Sequence, residues 1–276
     1  MYNKWNDVKG KIDSQSPLIH CITSPIAIND CANAVLALGA KPIMAEHPLE
    51  VENITLMSKS LAVSLANITD ARAESIMISG KAACKAGISS VIDLVGVTCS
   101  KMRADFAKKY ITQCRPAVIK GNVSEIKAVC GMGFDASSGI DVSDKDKVDS
   151  ANPKSIEEMS YIVKNYAAAN GCVVMASGET DIISDGKEVY HISNGSSRMA
   201  DVTGTGCILN CITAVFMSVT DALTACVLAA AVLGISGELA DDSRGLGTYH
   251  IGLIDSLSLM DSEKFSQMAK IKKYNK

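Results

Sequence analysis

Three polar stretches in this chain hold residue types suited to moving a charged group. The first is Ala200-Asp201-Val202-Thr203-Gly204-Thr205-Gly206-Cys207, which opens a long apolar segment expected to be a helix over 205–219. Two glycines let backbone approach a ligand closely. The first turn of a helix leaves N–H groups unpaired at the positive end of its dipole. Gly204, Thr205, Gly206 and Cys207 could therefore form an anion hole for a phosphoryl group in transit. The alternative is that Thr205 only caps a buried helix.

The second stretch is Lys120-Gly121-Asn122-Val123-Ser124-Glu125, placed after an apolar run. One reading makes Asn122 an N-cap and Glu125 a first-turn acid matched to the dipole. The other gives Lys120 to a nucleotide phosphate and Glu125 to Mg²⁺, which favours one or two carboxylates with phosphates and waters. The third feature is Asp93, close to the end of the apolar run Val91-Ile92-Asp93-Leu94-Val95-Gly96 and a natural second acid. No Gly-Lys-Ser or Gly-Lys-Thr follows a spaced glycine, and no Gly-x-Gly-x-x-Gly links a strand to a helix. P-loop and dinucleotide folds are therefore unsupported.

The elements that must position these groups follow from the hydrophobic pattern. The chain has 276 residues, 47% apolar but only 4% aromatic, so its core must be aliphatic. Apolar runs alternate with helical patterns. Strands are expected at 18–22, 42–45, 61–65, 91–96, 117–120 and 172–177, and helices at 6–14, 51–59, 71–86, 102–112, 124–130 and 154–169, with a further helix through Cys31, Val35 and Leu38 to Gly39. Asp185-Gly186 joins two short strands as a hairpin. Three helices, 205–219, 223–241 and 252–259, are expected to complete the chain, and 131–149 reads as an exposed excursion. Strand interiors apolar on both faces predict an α/β fold, a mostly parallel central sheet covered by helices on both sides, with a small antiparallel edge hairpin. Ligands of such sheets bind beyond the carboxyl ends of the strands. Met44, Asp93, Lys120, Asn122, Ser177 and the Gly-Thr-Gly turn should converge there, with the Lys120 ammonium emerging at the sheet edge.

Composition narrows the function classes. A net charge of −3 offers no electrostatic case for nucleic acid or an anionic membrane. The N-terminus is polar, and the most apolar run, 222–234, is short for a bilayer span, so a cytoplasmic location is expected. Ten cysteines occur without a single Cys-x-x-Cys pair, and most should be small buried hydrophobes, with Cys84 among them. Cys207, at a helix start, is expected to have its thiol pKa pulled down, and a role as covalent nucleophile is disfavoured because no His is placed to activate it.

Several motifs in order carry a family resemblance. They are His20-Cys21-Ile22-Thr23, Ala27-Ile28-Asn29-Asp30, Leu36-Ala37-Leu38-Gly39-Ala40, Pro42-Ile43-Met44-Ala45, Gly80-Lys81-Ala82-Ala83, Arg115 to Asn122, Ser177-Gly178-Glu179 and Val202 to Cys207. The chain resembles the hydroxyethylthiazole kinases of the ribokinase-like superfamily over about 17–257, which implies one kinase domain over 1–276. The resemblance implies transfer of the ATP γ-phosphoryl group to the primary hydroxyl of 4-methyl-5-(2-hydroxyethyl)thiazole, a salvage step toward thiamine. It assigns Met44 and Gly204 to the thiazole, Lys120 and Ser177 to ATP, and Asp93 and Glu125 to Mg²⁺. It also puts Cys207 where many relatives have an Asp base, and implies a homotrimer with active sites between subunits.

The chain departs from the family pattern at Ser24, at Ser64-Leu65-Ala66-Asn67 and at Leu94 to Cys99, where substrate and magnesium are expected. Arg103 survives just beyond this region and is expected to cover phosphate. Two other readings use the same residues: a kinase for another small heterocyclic alcohol of the hydroxymethylpyrimidine type, and a catalytically silent nucleotide- or thiazole-binding relative. Intact Lys120, Glu125 and the Gly-Thr-Gly-Cys turn argue against silence.

Overall fold

The computed structural model describes residues 1–131, 153–240 and 244–274. Nine strands form one sheet in the order β2-β1-β3-β4-β5-β6-β7-β8-β9. They are β1 (Leu18–Ile22), β2 (Lys41–Ile43), β3 (Ser60–Ser64), β4 (Ser89–Asp93), β5 (Val118–Asn122), β6 (Val173–Ser177), β7 (Asp181–Ser184), β8 (Val189–Ile192) and β9 (Ile271–Tyr274). Pairing is parallel from β2 through β6 and antiparallel from β6 to β9.

Successive strand residues feed two separate cores, as the pleat requires. Val91, Val118 and Val173 join one cluster with α1 (Tyr2–Gln15), α2 (Ile28–Ala37), α8 (Thr205–Met217), α9 (Ala222–Leu239), α10 (Leu246–Ser258) and α11 (Ser262–Met268). Ile92, Ile119 and Val174 join the other, with α3 (Val51–Met57), α4 (Asp70–Ala86), α5 (Lys101–Cys114), α6 (Val123–Val129) and α7 (Pro153–Asn170). Thr23, Asp93, Lys120 and Ser177 follow this alternation onto the α8 side, at the carboxyl ends of β1, β4, β5 and β6. Register sets Asp93 opposite Lys120, and Asn122 opposite Ser177.

Two elements were not expected. α11 and β9 follow the three helices that were to end the chain; β9 pairs with β8, His191 opposite Lys272, and carries exposed lysines on the sheet edge. The apolar run from Ala222 extends further than expected, to Leu239, which makes α9 long and apolar enough to cross a membrane; most of it is buried within the fold, against α8 and α10. The Asp185-Gly186 hairpin forms as expected, Gly186 taking φ +87°. The excursion expected over 131–149 lies, apart from Gly131, outside the described residues.

All ten cysteines are free thiols, and seven are buried. Cys84 departs from expectation, being exposed on the outer side of α4. Among the described residues no cluster of His, Cys, Asp and Glu is built to hold a metal on its own.

Candidate active site

The site grows from the register of β4 and β5. Lys120 Nζ lies 3.1 Å from Asp93 Oδ1, and both side chains are buried. Lys120 therefore does not emerge at the sheet edge as expected; β4 and β6 flank it, and Asp93 holds it inside. Burial alone would lower its pKa, but Asp93 and Glu125 outweigh that and hold it charged. Burial pushes the Asp93 carboxyl up, with Lys120 opposing.

Glu125 sits in the first turn of α6 and completes a capping box. Asn122 Oδ1 accepts from the Glu125 N–H at 2.9 Å, and Glu125 Oε2 accepts from the Asn122 N–H at 2.8 Å. Its other oxygen, Oε1, accepts from the Gly96 N–H at 2.8 Å. The capping reading of this stretch is therefore realised, but Glu125 also ties down the loop after β4. Burial first, and then the Asp93 charge, lift its pKa to about 7.

The Gly-Thr-Gly turn faces this cluster. A Cβ added at Gly206 would stand 3.7 Å from Lys120 Nζ. Gly204 is the N-cap of α8 at φ +96°, a left-handed conformation that favours glycine, and no side chain caps the helix. Thr205 is not the cap considered above: its hydroxyl donates to the Met199 carbonyl at 3.2 Å. The start of α8 is thus left without a competing side-chain acceptor, as an anion cradle requires.

Cys207 contradicts one expectation. Its thiol pKa is pushed up to about 11, by burial first, then by Asp93 and Cys31, with Lys120 and Thr23 opposing. Desolvation and a neighbouring carboxylate outweigh the helix dipole, so the thiol stays protonated.

The remaining residues lie around this centre. Ser177 Oγ donates to the Gly121 carbonyl at 3.3 Å, pinning the end of β6 to β5. Met44, just past β2, is half-buried against the core cluster that contains Cys207. It lies on the far side of β1 and β3 from β4, three strand spacings or about 14 Å across the sheet. Arg103 donates to the Leu65 and Val95 carbonyls, so its guanidinium braces the loops after β3 and β4. Ser24 and Asn67, two of the departures from the family pattern, bond to each other, Ser24 Oγ donating to Asn67 Oδ1 at 2.8 Å.

Sequence reasoning gave no role to three residues here. Asp181, the first residue of β7, accepts from the Gly178 N–H at 3.0 Å, and its carboxyl pKa is pushed up to about 7 by burial, with Gly178 and Lys120 opposing. Arg72 donates to the Thr23 carbonyl at 2.6 Å and pairs with Glu46, two residues past Met44. Thr23 Oγ1 lies 3.6 Å from Cys31 Sγ. Asp181 carried a signal in its place after Ser177-Gly178; the others needed the fold.

A parallel sheet with polar side chains at one rim, an antiparallel edge beyond β6 and a glycine turn opening a buried helix define a small-molecule kinase of the ribokinase-like fold. The model of the hydroxyethylthiazole kinase family matches residues 10–263, and the chain belongs to that family. It is 47% identical over 267 residues to "Hydroxyethylthiazole kinase 2" of Clostridium botulinum (strain Hall), covering 97% of this chain and 99% of the relative. The solved hydroxyethylthiazole kinase of Pyrococcus horikoshii OT3 superposes with a TM-score of 0.88 at 26% identity, covering 100% of both chains. A ribokinase-like superfamily protein of Enterococcus faecalis V583 superposes with a TM-score of 0.58 at 12% identity over 90% of this chain and 88% of that one, a likeness of fold alone.

Proposed function

We propose that this chain, acting as one kinase domain over 1–276, phosphorylates the primary hydroxyl of hydroxyethylthiazole at the expense of ATP, giving the thiazole phosphate used for thiamine. The substrate oxygen forms a bond to the γ-phosphorus, the bond from that phosphorus to the β-phosphate bridging oxygen breaks, and the hydroxyl proton is released. The reaction needs alignment and charge neutralisation more than covalent chemistry. The observation that carries this reading is the Gly-Thr-Gly turn set against the Lys120 ammonium. Backbone N–H groups from one side and Lys120 from the other would hold the moving phosphoryl group. Ser177 would contact ATP, and Met44 and the Gly204 backbone the thiazole. Cys207, a neutral thiol here, would align the hydroxyl rather than act as a strong base.

The residues fit a magnesium ion. Asp93 and Glu125 are two buried carboxylates beside one ammonium, and burial first, then the Asp93 charge, pushes Glu125 up. Asp93 and Glu125 would hold Mg²⁺ directly or through water, and the ion would neutralise phosphate oxygens. We place the enzyme in the cytoplasm, as a homotrimer with sites between subunits. Ile26 and Leu49, large apolar side chains near the strand-end rim, are 69% and 88% exposed, which suits a surface covered by a second subunit.

The test is ADP release with ATP, Mg²⁺ and either the hydroxyethylthiazole or a hydroxymethylpyrimidine alcohol. Turnover restricted to the thiazole supports the assignment. Preference for the pyrimidine moves the substrate, and tight binding with no ADP at any Mg²⁺ concentration shows a silent binding protein.

A further inference from the structure

The Met44 side of the site hangs on a short edge strand. β2 pairs with β1 over three residues, ending at Ile43 opposite His20. Pro42 within it has no N–H to give the ladder. Met44, Ala45 and Glu46 continue past the sheet as a strap outside any strand. Side chains from other elements hold that strap. His20 Nε2 bonds the Ala45 carbonyl at 2.9 Å; a carbonyl only accepts, so the nitrogen carries the hydrogen. Ser75 Oγ, from α4, donates to the Glu46 carbonyl at 2.7 Å. Arg72, also from α4, pairs through Nη1 with the Glu46 carboxylate.

The other arm of that guanidinium reaches a second segment. Nη2 donates to the Thr23 carbonyl at 2.6 Å. Thr23 is the first residue past β1 and opens the loop that leads to Ala27. Ala27 backs the Gly-Thr-Gly turn, its Cβ 3.0 Å from where a Cβ at Gly204 would stand. One planar fork therefore ties the strap that carries Met44 to the loop behind Gly204. Met44 and the Gly204 backbone are the two groups placed against the thiazole above. Arg72 is 4% exposed, and among the described residues its Nε is buried without a partner. Holding a guanidinium out of water is costly, and its two terminal arms carry the compensation. His20 and Ser75 already fix the strap backbone. What Arg72 adds is the tie across to β1.

We propose that Arg72 is a positioning residue for the heterocyclic substrate: it fixes the gap between the Met44 strap and the loop behind Gly204, so that the ring meets both sides already in place. The inference deepens the reading above and rests on Met44 touching the thiazole. Arg72 acts through these two segments and not by contact with the ring.

The experiment measures kcat and both KM values, with hydroxyethylthiazole and ATP, for Arg72→Met, Glu46→Ala, Glu46→Gln, Met44→Ala and the Arg72→Met/Glu46→Ala double variant. Thermal melts verify folding. Arg72→Met keeps the stem and loses the fork. It should raise the thiazole KM about tenfold, because binding must then order the strap, and leave kcat and the ATP KM within about twofold. Glu46→Ala should raise the thiazole KM about three- to tenfold, and Glu46→Gln, which keeps an acceptor oxygen, by no more than about twofold. After Arg72→Met, Glu46→Ala should add nothing. The Glu46 side chain is 44% exposed, so its variants carry the test should Arg72→Met not fold. A parental thiazole KM in Arg72→Met or Glu46→Ala, equal rises in both KM values, or an additive rise in the double variant overturns the inference. With Met44→Ala still raising the thiazole KM, such a result leaves the reading above standing. A parental thiazole KM in Met44→Ala, or no turnover of the thiazole by the parent, removes that reading and the inference with it.

Discussion

Asp93 Oδ1 and Lys120 Nζ stand 3.1 Å apart on neighbouring strands, both shut away from solvent. The pair puts one ammonium and one carboxylate at the centre of the strand-end rim. Taking both from water is costly, and each depends on the other.

Lys120→Met should therefore lower folding stability by about 3–5 kcal/mol, because it strands a buried carboxylate. Adding Asp93→Asn should return part of that stability without returning turnover. Denaturant unfolding of the parent and these two variants measures this. A single variant as stable as the parent would show that Asp93 is protonated without its partner.

Gly204 sits at φ +96°, and a Cβ there would lie 3.0 Å from the Ala27 Cβ. Gly204→Val should abolish turnover by strain and by filling the space where a ligand meets the backbone. Gly204→Ala should cost about 1–3 kcal/mol in stability from backbone strain. Steady-state rates and unfolding curves test both, and near-normal turnover in Gly204→Val would remove the anion cradle.

Cys207 has its pKa pushed up to about 11 and stays a thiol at neutral pH. Cys207→Ala should slow the reaction by about tenfold and not end it, since alignment and charge neutralisation remain. Complete loss with a trapped covalent adduct, read by intact mass, would instead make Cys207 a nucleophile.

Asp181 gives a pH signature. Its carboxyl rises from an ordinary 3.8 to about 7 in the fold, burial outweighing the Gly178 N–H and Lys120. Between those values the folded chain keeps a proton that the unfolded chain has released. Stability contributed here is present at low pH and falls as pH climbs through that window. Asp181→Asn should flatten the fall while still accepting from Gly178. Urea midpoints at intervals of pH check it, and an unchanged slope would overturn it.

Glu125 joins a capping box to the loop after β4. Glu125→Gln should raise the Mg²⁺ concentration needed for half-maximal turnover. An unchanged titration would leave Glu125 a purely structural cap.

The fold was largely legible because its strands are short apolar runs between helices with local start and stop signals. Asp185-Gly186 gave the hairpin, and Gly87 ends α4 at φ +69° as a glycine stop should. β9 was not legible, since Ile271-Lys272-Lys273-Tyr274 reads as a polar tail. It becomes a strand because β8 offers an open edge. The Cys207 thiol was misjudged for a related reason: a helix start is visible in sequence, while depth of burial is not.

The amino-acid order alone determined the alternation of strand and helix, the glycine turn and the capping box, because each depends on residues within a few positions of one another. It also determined which face of each strand its polar ends would share, through the two-residue period of the pleat. Only the tertiary structure decided that Asp93 meets Lys120, that Gly206 faces that ammonium, that Asp181 lies within reach of its charge, and that Thr23 meets Cys31. Those meetings depend on strand order and on what desolvation does to charge, and both arise only when segments distant in the chain pack together.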